Sequence, residues 1–470
     1  MVADAQRMPV PVSAEMHARA EQRGYLPVIV RLDVPSTMES LLNTNQAKRQ
    51  RKYLTAYRQN LLQQLGSGTG IVLRSESDQW MIPYIALWVD PNGLRKLERT
   101  PGILEIVEDI PSRPSLTGSL GPTDTYEAHN LGFTGLDQVV AVVDSGINRG
   151  HPMLSELIAG ELCFSASFPA AQLTSLCPNG DPSQADLGSA SSSKCTGTPL
   201  RDHGSFMSGI VAGAPFTTAG QIYKGLGFGA KILTVQVYVK STNPAYCVGQ
   251  STPCIVALEA DQIFALQRIY DTCGSYNLAA VALGYNEAVL GSPGGCTDFR
   301  TSLIRNLFNV GVATIVPAGN QGNTTKVGPP ACVAEAIAVG ATDDARNVAS
   351  FSNSSNLIDL LAIGVDVQSA GSGISILEDN GSSAAAAQVA GAWAILKQVR
   401  SNAEVNVILD ALQTTGIGVL DARNGLAHKF IQVGEAIKLL QTLPASTNLV
   451  TNAGFEAGPV LSLLVGRRLA

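Results

Sequence analysis

Asn380-Gly381-Ser382-Ser383-Ala384-Ala385-Ala386-Ala387-Gln388-Val389-Ala390-Gly391 is a turn of small residues that runs straight into an alanine-rich stretch, continued by Ala392-Trp393-Ala394-Ile395-Leu396-Lys397. Alanine is the strongest helix former, and a segment this small and apolar on all sides suits a helix deep in a core. A serine in its first turn sits where free backbone N–H groups and the positive end of the helix dipole favour negative charge. That placement suits a nucleophile, whereas the plainer reading is a buried helix with a serine cap. Gly381 lets another chain pass close to the turn. The rest of the chain decides between the two readings.

Upstream, residues 139–143, 231–237, 279–283, 312–316 and 336–340 are short runs of Val, Ile, Leu and Ala with little polar alternation. Such runs predict strands buried on both faces, hence an α/β unit with a mainly parallel sheet between helices, over residues 120–443. Sites in such sheets lie beyond the carboxyl ends of strands. Three candidates fall there. Asp144 ends the first run, in Val143-Asp144-Ser145-Gly146, as a functional acid or a turn cap. His203 opens a small-residue helical pattern in Asp202-His203-Gly204-Ser205, as a proton shuttle or a polar helix start. Asn320, in Ala318-Gly319-Asn320-Gln321, follows a later run and either donates its amide to an oxyanion or simply turns the chain. The order is Asp, then His 59 positions on (203 minus 144), then Asn, then Ser383, 180 positions after the His (383 minus 203).

Residues 1–26 are polar and read as an irregular leader. From 27 to 110 the pattern is strand, long helix (36–65), two strands, short helix and strand, the β-α-β-β-α-β order of a small ferredoxin-like α+β domain. The Pro-rich passage 111–119 reads as a linker, and 444–470 as a tail. The formal charge is -6, without a long basic block, which argues against nucleic acid as a partner. No apolar run reaches membrane-spanning length. Eight cysteines, all between Cys163 and Cys332 and none spaced C-x-x-C, read as a disulfide set and thus an oxidising compartment. Their connectivity stays open, with Cys247 and Cys254 a plausible local bridge.

With these residues in view the sequence resembles the subtilisin-like serine proteases, the subtilases of peptidase family S8. The Asp…His…Ser order is theirs. Val140-Ala141-Val142-Val143-Asp144-Ser145-Gly146-Ile147, Asp202-His203-Gly204-Ser205, Ala318-Gly319-Asn320 and Gly381-Ser382-Ser383 match the family's four motifs. The domain at 27–110 resembles its inhibitory I9-type propeptide. The resemblance implies a secreted, monomeric endopeptidase of broad specificity, made as a zymogen whose propeptide acts as inhibitor and folding aid and is cut off between Leu116 and Leu120. It implies Asp144, His203 and Ser383 as catalytic triad, Asn320 in the oxyanion hole, and protein or peptide substrates held extended along Leu283-Gly284 and Ala318-Gly319. No cofactor is required; relatives often bind structural calcium, but no D-x-D-type loop here assigns it a site.

The chain departs from the family around the triad: Phe206, Met207 and Ser208 follow Ser205, Ala384 and Gln388 follow Ser383, Ala282 replaces a cleft serine, and Arg201 stands where relatives carry a cysteine. Two other readings therefore accompany the protease: a pseudoprotease acting as a binding protein, and an esterase or amidase using the same triad on small substrates.

Overall fold

The computed structural model describes residues 10–66, 70–74, 81–109, 113–114, 123–198, 200–247, 250–286, 290, 296 and 298–444. Most of the expected linker at 111–119, with its processing region, and all of the tail beyond Pro444 lie outside the described residues.

The N-terminal part folds as β1 (Leu26–Leu32), α2 (Thr44–Leu65), β2 (Ile71–Leu73), β3 (Tyr84–Val89), α3 (Pro91–Glu98) and β4 (Ile103–Glu108), its antiparallel strands ordered β2-β3-β1-β4. Strand side chains alternate between faces, and both faces of β1 are covered. Val28 and Val30 join Leu54, Leu61, Leu94 and Leu97 beneath the helices, while Ile29 turns to the larger core. Two stretches differ from the sequence reading. Residues 14–23, expected to be irregular, form a helix, α1 (Ala14–Arg23), because Ser13 caps it and Arg19 and Arg23 both reach Glu108, at 2.6 and 3.0 Å. The long helix begins at Thr44, eight residues later than the pattern suggests (44 minus 36), because Asn43 and Gln46 form a reciprocal capping box there.

The larger part is built on a ten-stranded sheet. In spatial order its strands are Ile417–Leu420, Ala427–Phe430, Leu360–Ile363, Ala336–Thr342, Ala313–Pro317, Leu278–Leu283, Val139–Asp144, Lys231–Gln236, Ile158–Phe164 and Ser183–Gln184. All neighbours are parallel except at the two edges. Every expected buried run is a strand of this sheet. After α4 (Thr125–Asn130), helices α5 (His203–Ala212), α6 (Glu259–Thr272), α7 (Thr301–Asn309) and α8 (Ser382–Val399) cover it, α5 against α8 and α6 against α7. From Ser382 to Lys397 every residue of α8 is buried, and Gly391 is where α8 meets the backbone of Val211 on α5. Among the described residues no helix is long and apolar enough to cross a membrane.

The two parts meet across β1 and β3. Trp88 stacks on Phe168 at 4.2 Å, and Ser40 Oγ donates to Asn306 Oδ1 on α7 at 2.9 Å. At the centre, Asp109 accepts from the first backbone N–H groups of α6, at Glu259 and Ala260, and pairs with Arg74. Arg74 also reaches Asp261 Oδ2 at 2.8 Å, all three side chains being excluded from water.

Three disulfides are present: Cys163–Cys177, Cys247–Cys254 and Cys296–Cys332. The set is not fully paired, since Cys195 and Cys273 are free thiols. Arg201 donates to Asp202 and Ser372. The Cys195 thiol donates to Ser145 O at 3.5 Å, and burial pushes it up to about 12, so it stays protonated.

Candidate active site

The end of the Val139–Asp144 strand, the start of α5 and the start of α8 converge on one point. Asp144 Oδ2 accepts from His203 Nδ1 at 2.7 Å, and Asp144 Oδ1 from the Ser145 backbone N–H at 2.6 Å. The other ring nitrogen of His203, Nε2, lies 3.2 Å from Ser383 Oγ. All three side chains are buried, with Asp144 and His203 at 1% exposure and Ser383 at 0%. A carboxylate fixed by one backbone N–H holds the imidazole with Nε2 toward the hydroxyl, the arrangement that lets a histidine accept a serine proton.

Local sequence produces these positions. Gly204 packs on the backbone of Gly146, where any Cβ would collide with Gly146 O, so His-Gly at the head of α5 is a steric requirement. The Gly204 N–H is taken by Ser145 Oγ at 3.0 Å. The two serines at the start of α8 have separate tasks. Only Ser383 reaches His203; Ser382 Oγ donates to Asn320 Oδ1 at 2.8 Å and accepts from Gly319 N at 3.0 Å. Because Asn320 Oδ1 also accepts from Ser382 N at 3.0 Å, the amide NH2 is the end of that side chain left for a substrate oxygen.

The expected substrate-binding residues fall into two groups. Leu283 ends the strand beside Val143, and Gly284 donates to Val143 O at 3.1 Å. Directly after them, Tyr285–Asn286 pair antiparallel with the Arg113–Pro114 backbone, so residues 285–286 form an edge that accepts an extended chain. Ala318 and Gly319 do not. Their N–H groups are held by Val339 O and Ser382 Oγ, and their carbonyls by Gly328, Asn353 and its side chain. This segment can wall the cleft but cannot form a ladder with substrate, which corrects the expectation of pairing along both.

Sequence reasoning missed Asn353. Its Oδ1 accepts from Gln321 N and Asn323 N, at 3.1 and 2.9 Å, and its Nδ2 donates to Ala318 O at 3.1 Å, bracing the loop that carries Asn320. The only signal was a small-polar turn, Ser352-Asn353-Ser354. Of the departures around the triad, those at 206–208 and 388 lie in helix interiors, Ala384 lies in the first turn of α8, and Ala282 lies on the Leu278–Leu283 strand. Phe206, Met207 and Ser208 are buried along α5, with Ser208 Oγ donating to Gly204 O at 2.7 Å, while Gln388 Nε2 donates to Ile363 O at 3.0 Å. Among the described residues no group of three or more His, Cys, Asp or Glu could hold a metal ion.

The profile described as the Subtilase family matches residues 135–434. Among curated proteins, the chain is 27% identical over 330 residues to an alkaline protease of Shouchella clausii, covering 67% of this chain and 70% of that one. It is 26% identical over 379 residues to subtilisin E of Bacillus subtilis (strain 168), covering 78% and 86%. It is 30% identical over 302 residues to a subtilisin of Bacillus pumilus, covering 61% and 87%. The family profile spans well over half of the chain and includes every residue of the Asp144–His203–Ser383 cluster, so the chain belongs to the subtilase family and is a serine-type endopeptidase.

Proposed function

We propose that the protein is a secreted, self-processing zymogen that cuts peptide bonds through Asp144, His203 and Ser383. The observation that carries this reading is the continuous hydrogen-bonded chain from Asp144 through His203 to Ser383. Ser383 Oγ attacks the scissile carbonyl while His203 Nε2 takes its proton. Asp144 keeps Nδ1 protonated and stabilises the cationic ring. The tetrahedral intermediate collapses as His203 returns the proton to the leaving amine, and water repeats the cycle on the acyl-enzyme. The Asn320 amide and the Ser383 backbone N–H receive the oxyanion.

The N-terminal domain serves as inhibitor and folding aid. Two contacts support this: the Asp109 cap on α6, and the Arg113–Pro114 pairing, which runs toward Gly284 and the triad as a substrate's acyl half would. Three disulfides support an oxidising destination. The enzyme acts as a monomer on extended protein or peptide substrates, without a cofactor.

The test is the intact mass and peptide map of the purified chain after a fluorophosphonate serine probe, alongside Ser383→Ala. The expected result is loss of the segment ahead of a cut between Leu116 and Leu120, with one adduct at Ser383. A folded, full-length, unlabelled chain would overturn the proposal in favour of a binding protein.

A further inference from the structure

The strands Val367–Ala370 and Ile376–Asp379 form a hairpin with Val367 opposite Asp379, Gln368 opposite Glu378 and Ser369 opposite Leu377. Opposite residues share a face, and successive residues alternate. The outer face carries Gln368 and Glu378, hydrogen-bonded to each other at 2.6 Å. The inner face carries Val367, fully buried, and Ser369, whose Oγ donates to Phe206 O on α5 at 2.8 Å. Asp379 therefore points inward, toward the helix that opens at His203, and it precedes Ser383 by four residues (383 minus 379). Among the described residues no hydrogen bond or ion pair engages its carboxylate, and His203 is the titratable group that offsets the effect of its burial.

The charged and titratable neighbours of this hairpin are otherwise committed. Arg201 and Asp202, at the head of α5, pair with each other and with Ser372. His151 hydrogen-bonds Ser375 O at 3.0 Å, Asp144 holds His203, and Glu378 faces outward. Asp366, in the turn before the hairpin, meets Asn380 through its backbone N–H at 3.2 Å. A half-buried carboxylate beside the catalytic histidine is left without a cation.

The direction of the substrate says what meets it. The acyl half lies along Tyr285–Asn286, where Arg113–Pro114 pair now. The leaving amine takes its proton from His203 Nε2, so the leaving half departs past His203, on the side where the hairpin packs against α5. We propose that Asp379 is a specificity-determining residue for the leaving half, receiving a lysine or arginine side chain from the first or second residue after the scissile bond. This rests on the triad reading above. Burial pushes the Asp379 carboxyl up to about 6, and the nearby His203 counters that rise. The preference is accordingly half developed at about pH 6, full by about pH 8, where the group is ionised, and fades as pH falls below about 6.

The experiment uses matured protein and internally quenched peptides identical except for lysine or norleucine at the first or second position after a cut site verified by mass spectrometry. At pH 8 the lysine peptide should show kcat/KM about tenfold above its norleucine partner at one of the two positions, falling to about equal at pH 5. The ratio should also fall to about one in Asp379→Asn, persist in Asp379→Glu, and shift toward glutamate peptides in Asp379→Lys. Ratios cancel general losses of activity, and fluorophosphonate labelling counts the folded sites in each variant. A wild-type ratio near one at both positions, or an unchanged ratio in Asp379→Asn, overturns the proposal. Failure of the triad reading looks different: no peptide of either kind is cut faster than by Ser383→Ala.

Discussion

Gly284 lies so close to Asp144 that a Cβ at position 284 would overlap the Asp144 carboxylate, and it would stand 3.3 Å from His203 Cε1. The glycine is held there by its N–H bond to Val143 O, so it cannot move aside without breaking the join between two sheet strands. The substrate edge and the catalytic acid are thus fitted against each other through one missing methyl group. Gly284→Ala should displace the carboxylate or the ring it orients. A shift of about 1 Å in a catalytic group costs roughly a hundredfold in rate. Peptidase turnover of the matured variant, normalised to probe-labelled sites, is the measurement. Turnover within a factor of two of the parent would mean the carboxylate has slack that the geometry denies.

Asn320 shows how a neighbour sets the use of a side chain. Ser382 occupies Oδ1 twice, from its N–H and its hydroxyl, and so determines which end of the amide faces the cleft. Asn320→Ala should lower kcat by about a hundred- to a thousandfold, the loss typical of removing one oxyanion donor in serine proteases of this type, with KM little changed. Ser382→Ala leaves the amide in place but less firmly oriented, and its loss should be about tenfold. Equal losses in the two variants would contradict this division of labour.

The sheet was legible in the sequence because parallel strands buried on both faces need unbroken apolar runs, and runs such as residues 139–143 have no other good use. Asp144, His203 and Ser383 stood out as candidates because each lies in a glycine-bearing motif: Gly204 follows His203 directly, and Gly146 and Gly381 lie two positions from Asp144 and Ser383; close packing demands the first two of these glycines. What could not be read was anything decided across the fold. The helix at Ala14–Arg23 depends on Glu108, 85 residues beyond Arg23, and is too polar to announce itself by periodicity. The closed backbone of Ala318 and Gly319 depends on Asn353 and Ser382. Which six of the eight cysteines pair, leaving Cys195 and Cys273 free, is likewise set by the fold and not by their count.

Arg74 is the one cation between Asp109 and Asp261 in the described interface, and its side chain is 1% exposed. Burial raises Asp261 to about 6, partly offset by Arg74, so the site is poorly disposed to hold charge without it. Removing one member of a buried ion pair leaves the other uncompensated, at a cost of about 3–5 kcal/mol. In Arg74→Met the cleaved N-terminal domain should leave its partner far sooner, by a hundredfold or more in dissociation rate on that scale. The readout is the lag before peptidase activity appears when the processed complex is diluted. An unchanged lag would show that the apolar contacts around Trp88 and Phe168 hold the domain by themselves.

Lys397 makes stability depend on pH in a direction that can be worked out. Near the C-terminus of α8 its Nζ donates to Ala403 O at 2.7 Å and to Ser401 O at 3.4 Å, yet burial lowers its pKa to about 8 from an ordinary 10.5. Between those values the unfolded chain binds the proton and the folded chain does not, so this group's contribution to stability rises with pH across the window. Below about pH 8 both states are protonated and the folded state bears the full cost of a buried ammonium. Lys397→Met removes that cost at every pH. In a Ser383→Ala background, which prevents self-digestion, urea unfolding should show the gap between the methionine variant and its parent shrinking by about 3 kcal/mol from pH 7.5 to 10.5. A gap that stays constant over that range would mean the ammonium reaches water in the folded protein, and that α8 is less enclosed at its C-terminal end than its burial indicates.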